Sequence, residues 1–258
     1  MRKYKIVLVA ACAALMLLPA NLLAQEEEKD MRPVRETFNG TLLGDQQTGT
    51  SPRDKGLELI IHHRFGTMEN GLTDLYGIYA PSNIRLGLSF GITEKLMVGF
   101  GTEKNNKLQE FYAMYNILQQ TRGGSIPVGI SYYVNMAIDA RNEEVFGENY
   151  AFTNRLSYFH QIIIDRKFGD RLSVQLAPSF AHFNAVDSVW HNDYIGVSAG
   201  ARYKVFGDFS IIANYEQAFT YKAVELYQND TKPNLALGFE VGTPTHCFQL
   251  FAANYDKI

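Results

Sequence analysis

The sequence predicts an all-β protein: an antiparallel, up-and-down transmembrane β-barrel of about 12 strands whose last strand is missing from this chain. Three observations predict it, namely an export signal at the N-terminus, segments that alternate apolar and polar residues, and links that alternate between short and long. The 17 Phe and 15 Tyr of the chain favour strands. After the N-terminus, no run of ~18–20 uncharged apolar residues could form a membrane-spanning helix.

Residues 1–24 predict a signal peptide. Arg2, Lys3 and Lys5 precede an apolar stretch, and the small residue Ala24 precedes a polar segment. The residues before Cys12 resemble a lipoprotein cleavage site, but cleavage there would leave too short an apolar core. Export combined with a barrel pattern predicts the outer membrane of a Gram-negative cell.

The charge of the exported chain argues against a nucleic-acid partner. Removal of residues 1–24 removes three cations and no anions, which leaves 21 basic and 27 acidic residues and a net charge of −6. Cys247 is then the remaining cysteine, so no intramolecular disulfide is expected. Outer-membrane lipid and small solutes are the expected partners, and the sequence leaves the oligomeric state open.

Residues 25–54 and 55–258 differ in pattern. The first range is polar and charged apart from a few apolar residues such as Phe38, and it predicts a periplasmic arm or plug segment. The second range predicts the barrel itself. Eleven segments in it alternate with period 2. They span residues 56–65, 83–92, 95–103, 108–120, 126–139, 150–167, 171–183, 193–206, 208–219, 233–242 and 245–255.

The alternation assigns a polar and an apolar face to the strands. In residues 83–92, Leu86, Leu88 and Phe90 share one side, and Arg85 and Ser89 occupy the other. We expect the apolar rows to contact lipid and the polar rows to face the interior. A soluble β-sandwich would give the same alternation, so periodicity alone does not decide between them.

The links between segments favour the barrel. Four links are two-residue turns: Thr93-Glu94, Gly169-Asp170, Gly207-Asp208 and Thr243-Pro244. The link TRGGS belongs to the same short set. Four others are long: GTMENGLTDLYGIYAPS, ARNEEVFGENY, NAVDSVWHNDY and YKAVELYQNDTKPN. Short and long links take turns, as in barrels with tight periplasmic turns and long external loops, although the link at residues 104–107 is short where a long one is expected.

The count of eleven is odd, whereas single-chain bacterial barrels have even strand numbers. The sequence therefore predicts one further strand beyond Ile258, or a segment count that is wrong by one. The lack of a C-terminal aromatic residue favours the missing strand.

Five segments carry a resemblance to a known family. They are KGLELIIHHRFG, NIRLGLSFGITEKLMVGFGTEKNNK, NRLSYFHQIIIDRKFGDRLSVQLAPSFAHFN, GVSAGARYKVFGDFSIIANYE and LALGFEVGTPTHCFQL. With these segments the chain resembles, from about Phe38 to Tyr255, an uncharacterised family of outer-membrane β-barrel proteins with a domain of unknown function. The resemblance implies the fold, the location and one more aromatic-terminated strand, but no activity.

Charged residues of both signs fall on the presumed inward face. They could neutralise one another as a buried hydrogen-bonded network, or they could line a water path and select solutes by charge. The candidate lumen and solute-binding residues are Glu58, Arg64, Arg85, Glu110, Arg155, Arg202, Glu216 and Glu240.

Metal and catalytic sites are not predicted. His62 and His63 are adjacent on a strand, so they point to opposite faces and cannot hold one ion. The chain lacks G-x-S-x-G, a phosphate-binding loop and a metalloprotease motif, so we expect neither enzymatic activity nor a cofactor.

Aromatic residues near the strand ends predict girdles at the two membrane interfaces, and Trp190 in a long link is the candidate for ligand contact. The girdle candidates are Tyr112, Tyr115, Tyr132, Tyr158, Phe159, Tyr194, Tyr203, Tyr215, Phe219, Tyr221 and Tyr227.

Three functions follow in order of preference. The first is a porin-like or transport-related channel for small or amphiphilic solutes. The second is a non-conducting structural or anchoring barrel whose external loops bind partners. The third is a lipid-modifying outer-membrane enzyme.

Overall fold

The computed structural model describes residues 30–34, 36–187, 190–220 and 231–255. These residues form a two-stranded hairpin and one eleven-stranded antiparallel sheet. The hairpin consists of β1 (Leu42–Leu43) and β2 (Gln46–Gln47). The sheet consists of β3 (Leu57–Arg64), β4 (Asn83–Gly91), β5 (Leu96–Glu103), β6 (Leu108–Leu118), β7 (Gly129–Asp139), β8 (Leu156–Phe168), β9 (Leu172–Phe183), β10 (Asp193–Phe206), β11 (Phe209–Thr220), β12 (Asn234–Gly242) and β13 (Cys247–Ala253). Residues 1–24, for which a signal peptide is predicted, and Tyr221 and Tyr227 lie outside the described residues.

The helices among the described residues are three short 3-10 segments: Met68–Asp74, Glu143–Phe146 and Phe152–Arg155. In the part of the chain that the structure describes, no helix has the length and apolar character needed to cross a membrane.

The sheet follows the chain order from β3 to β13, and every strand pairs with its sequence neighbours. All eleven segments predicted from period-2 alternation are strands, and the all-β antiparallel fold is confirmed. The largest boundary difference lies at residues 150–155, which were expected to begin a strand; β8 begins only at Leu156, after the helix Phe152–Arg155.

The sheet curves until its first and last strands approach each other. The guanidinium carbon of Arg64 on β3 lies 5.0 Å from the ring centroid of Phe251 on β13. The His62 ring lies 5.9 Å from the same centroid. β3 and β13 are not hydrogen-bonded to each other in the described residues, and the expected closing strand is not among them.

The sheet exposes its apolar face and buries its polar face, which is the reverse of the arrangement in a soluble protein. On β4, Leu86, Leu88 and Phe90 are 45%, 42% and 40% exposed, whereas Arg85 and Ser89 are buried. The outward rows of β3, β12 and β13 are likewise apolar and exposed. Because the apolar rows are not packed against a second sheet, the pattern fits lipid outside and polar groups inside.

The tight turns gather at one end of the sheet, called here the short-link end. Gly207 opens the two-residue turn between β10 and β11 with φ 47°, a conformation that glycine adopts without steric penalty. The long links gather at the opposite end, called here the long-link end. The link between β6 and β7 belongs to the short-link end but spans residues 119–128, so it is longer than expected.

Candidate functional site

Residues 36–51, called here the lumen segment, lie against the inward face of the sheet. The chain reaches this position from the short-link end, where the Val34 N–H donates to the Gln120 carbonyl at 2.7 Å. Phe38 and Leu43 are buried against Ile212 of β11, and the Asn214 side chain donates to the Leu43 carbonyl.

Inward glutamines hold the hairpin by its main chain. The amide oxygen of Gln249 on β13 accepts from the Gly44 N–H at 2.7 Å, and its nitrogen donates to the Leu42 carbonyl at 2.9 Å. On the opposite side of the hairpin, Gln175 of β9 donates to the Gln47 carbonyl at 3.1 Å. The hairpin therefore obtains from side chains the hydrogen bonds that a sheet strand obtains from its neighbours.

The tip of the hairpin carries an ion pair. Asp45 contacts the Arg64 guanidinium, and His62 Nε2 lies 3.3 Å from Asp45 Oδ1. Burial by itself would raise the pKa of Asp45, but the hydrogen bond to His62 and the charge of Arg64 hold that pKa below its ordinary value. Because Arg64 ends β3 beside the first long link, the tip points toward the long-link end.

A second ion pair lies lower in the interior. Arg202 Nε donates to Glu240 Oε1 at 2.5 Å, and the two residues are 5% and 1% exposed. Asn39 of the lumen segment donates to Glu240 Oε1 at 2.7 Å, and Gln249 donates to Glu240 Oε2 at 2.8 Å. The carboxylate thus has charged and neutral donors, as a buried charge requires.

A third ion pair lies on the opposite wall. Arg85 Nε donates to Glu110 Oε2 at 2.5 Å, and Asn135 donates to Glu110 Oε1 at 3.2 Å. A Cβ atom at Gly101 would collide with the ends of the Glu110 and Arg85 side chains, so a larger residue there would shift the pair.

Between the hairpin tip and this wall lies a cavity of about 280 Å³. It is lined by Leu42, Asp45, Gln46, Gln47, His62, Arg85, Glu110, Tyr133, Asn135, Phe159, Gln161, Glu216, Asn234 and Tyr255. A neighbouring cavity of about 200 Å³ shares Phe159, Gln161 and Glu216 with it. The lumen segment forms the floor of the first cavity.

The structure brings most of the candidate lumen residues to the inward face, in different places. Arg85, Glu110 and Glu216 line the first cavity. Arg64 binds the hairpin tip, and Arg202 pairs with Glu240 below it. Glu58 accepts from the Thr41 N–H of the lumen segment at 3.3 Å.

Arg155 is different, because it lies in the link between β7 and β8 and not on an inward strand face. Its guanidinium donates to the carbonyls of Asp139 and Arg141 at 2.7 and 2.5 Å and to the Tyr150 hydroxyl at 2.6 Å. The side chain thus closes the base of the link, and β8 begins at the next residue, Leu156.

Several residues of the site have no counterpart in the sequence-based candidates. Asp45, Asn135, Gln161 and Asn234 line the cavity. Only Asp45 had a sequence signal, since a Gly44-Asp45 turn between two pairs of bulky residues is typical of a hairpin. The sequence did not single out the Asn and Gln residues of the cavity, because period-2 alternation does not distinguish them from other polar residues on a strand.

Three aromatic residues expected in the girdles lie elsewhere. Tyr112 is 5% exposed and its hydroxyl lies 3.0 Å from Ser89 Oγ in the interior. Phe159 and Tyr194 line the cavities. Other candidates, including Tyr115 and Tyr203, are exposed on the outward face, and Trp190 is 47% exposed in its link.

Comparison with known proteins gives one result. No curated protein and no solved structure shows significant similarity to the chain. The sequence model of the family described as "Membrane bound beta barrel domain (DUF5777)" matches residues 38–258, which is most of the chain. The chain, with its curved antiparallel sheet, therefore belongs to this family of membrane-bound β-barrel domains of unknown function.

Proposed function

We propose that the protein is a porin-like channel of the outer membrane for small solutes, and that the lumen segment closes it in the conformation described. The observation that carries the proposal is the placement of residues 36–51 across the polar interior, with a cavity above them. The export signal expected in residues 1–24 supports the outer-membrane location. The proposal assigns the chain no catalytic chemistry and no nucleic-acid partner.

The contacts of the lumen segment permit its displacement. The bonds formed by Asn39, Gln249 and Gln175 join it to the wall through side chains, and the main-chain ladder of the sheet does not include it. Each such bond contributes about 0.5–1.5 kcal/mol net. Removal of the segment therefore breaks no strand pairing, and the polar interior left behind can be hydrated.

A disulfide tether tests the proposal. A Cβ atom at Gly40 would lie 4.0 Å from the Cβ of Cys247 on β13, within the range of about 3.5–4.5 Å for disulfides. Among the described atoms, the other close neighbour would be the carboxylate of Glu58 at 3.2 Å, which ends a flexible side chain and can move aside. Gly40→Cys should therefore bond to the native Cys247 and lock the segment in place.

The measurement is single-channel conductance in planar bilayers, with disulfide formation verified by mass spectrometry. We expect oxidised Gly40→Cys to show no openings, the reduced protein to conduct as wild type does, and Gly40→Ser to ignore the oxidant. Conductance that persists through the verified disulfide would refute gating by the segment. The channel proposal would be refuted if neither folded wild type nor a folded variant lacking residues 36–51 conducts.

That last result would favour the non-conducting anchoring barrel. One observation supports this second function: Arg155 orders the link between β7 and β8 through carbonyl and tyrosine contacts and stacks 5.0 Å from the Phe146 ring centroid. An ordered link at the long-link end is a suitable surface for a partner. Arg155→Ala should then abolish partner binding without changing the thermal stability of the sheet.

A further inference from the structure

We propose that the cavity above the lumen segment binds a small solute that carries an ammonium or guanidinium group. The inference deepens the proposed channel, on which its physiological meaning rests, by naming the class of solute. The binding itself requires no conduction and is tested separately.

One carboxylate that lines the cavity forms no ion pair with a side chain of the described residues. The inward ion pairs of the described residues join Asp45 to Arg64, Arg85 to Glu110 and Arg202 to Glu240, and Glu216 belongs to none of them. Glu216 accepts a hydrogen bond from the Asn234 amide at 3.3 Å and lines both cavities. A carboxylate in a partly enclosed site gains more from a bound cation than one in bulk water.

The amides beside Glu216 provide spare acceptors. Gln161 and Asn234 are 6% and 8% exposed and line the cavity, and their carbonyl oxygens have no hydrogen-bond partner among the described atoms. The carbonyl oxygen of Asn135 is in the same situation.

The orientation of two of these amides follows from their partners. The carboxylates of Glu110 and Glu216 can only accept hydrogen bonds, so the nitrogens of Asn135 and Asn234 must face them. The oxygens are therefore the unpaired atoms. A buried acceptor without a partner is unfavourable, and a ligand rich in N–H donors can satisfy three at once.

The remaining wall is aromatic. Tyr133 and Phe159 meet edge to face with ring centroids 6.3 Å apart, and both line the cavity. Ring faces attract cations at distances up to about 6 Å. The volume of about 280 Å³ lies just below the ~300–1,000 Å³ range of ligand pockets, which suits a small solute.

The other solute classes fit less well. A neutral polyol could satisfy the amide oxygens but would leave Glu216 uncompensated. An anion would be repelled by Glu216, and the guanidinium groups of Arg64 and Arg85 are already paired with Asp45 and Glu110. The surplus of acceptors and the single free carboxylate therefore select a cation.

Isothermal titration calorimetry of the purified full chain in detergent tests the inference. Agmatine is the probe, and 1,4-butanediol is the neutral comparison. We expect saturable binding of agmatine and none of butanediol. Glu216→Gln, which removes the charge with little change of shape, should weaken agmatine binding about tenfold or more, equivalent to ~1.4 kcal/mol. Gln161→Met should weaken it by a smaller factor.

Glu103→Gln is the matched control, because Glu103 is also a buried carboxylate but bonds to the N–H groups of Asn105 and Asn106, outside the cavity. It should leave binding unchanged. The inference would be overturned by any of three results: equal binding of butanediol, an unchanged agmatine affinity in Glu216→Gln, or no agmatine binding by the folded wild type. Each would indicate a cavity filled by water alone. Because titration needs no conduction, these outcomes are independent of the tether experiment.

Discussion

Removal of the Gln249 side-chain amide should release the lumen segment while leaving the strand pairing of the sheet intact. Gln249→Leu keeps most of the side-chain volume but loses the bonds to the Gly44 N–H and the Leu42 carbonyl, at 2.7 and 2.9 Å. It also loses the bond to Glu240 within the wall, at 2.8 Å, but that bond does not hold the segment. At about 0.5–1.5 kcal/mol each, the two bonds to the segment contribute roughly 2 kcal/mol to its docking. Since ~1.4 kcal/mol is a factor of ten, the displaced fraction should rise about 30-fold.

Hydrogen exchange followed by mass spectrometry measures this fraction directly, because an amide exchanges when the segment that protects it opens. Amides in residues 41–48 should exchange about 30-fold faster in Gln249→Leu, and amides in β8 and β9 should not change. Gln109→Leu is the control, since Gln109 bonds to Thr102 and Lys107 far from the hairpin. Unchanged exchange in residues 41–48 would refute docking by side-chain hydrogen bonds, and uniform acceleration would show that the whole sheet had loosened.

Two further predictions concern the buried charges. Arg202→Ala should lower the unfolding free energy by about 3–5 kcal/mol because it leaves Glu240 buried without its cation. Arg202→Met combined with Glu240→Leu should lower it much less. Urea unfolding followed by circular dichroism measures both losses, and equal losses would contradict the prediction. The second prediction concerns Asp45, which lies in the hairpin turn outside the spanning strands and has a lowered pKa in the folded protein. Its contribution to docking is therefore fully present above its ordinary pKa of 3.8. That contribution is lost as the pH falls from 3.8 through the folded-state pKa. Protection of residues 41–48, relative to β8, should therefore fall below about pH 3.8 in wild type, and an identical fall in Asp45→Asn would exclude Asp45 as its cause.

The sequence predicted the strands because the lipid-facing rows impose a strict period of two, and that period is visible in a single chain. The lumen segment could be placed only as an arm or a plug. Its two-residue strands are too short to show periodicity, and its partners are distant: Gly44 and Gln249 are 205 positions apart. Local pattern contains no information about such a pairing.

The inward rows were harder to predict than the outward rows, because the interior accepts both polar and apolar side chains. Met97, Met114 and Ile163 form a buried cluster with Tyr112 and Tyr133 on the inward side of β5 to β8. Period-2 patterning did not predict this cluster, and Tyr112 was expected in an aromatic girdle. Interior apolar residues fill volume that a wide pore would leave open.

The lumen segment also connects the two edge strands of the sheet. Glu58 and Arg64 of β3 and Gln249 of β13 all bond to it, and Arg64 contacts Phe251 of β13 as well. In the described residues β3 and β13 share no main-chain bonds, so the segment and these side chains hold that seam. Its displacement should therefore loosen the seam as well as open the interior. Deletion of the segment would combine the two effects, whereas the reversible Gly40→Cys tether changes only the mobility of the segment and so separates gating from assembly.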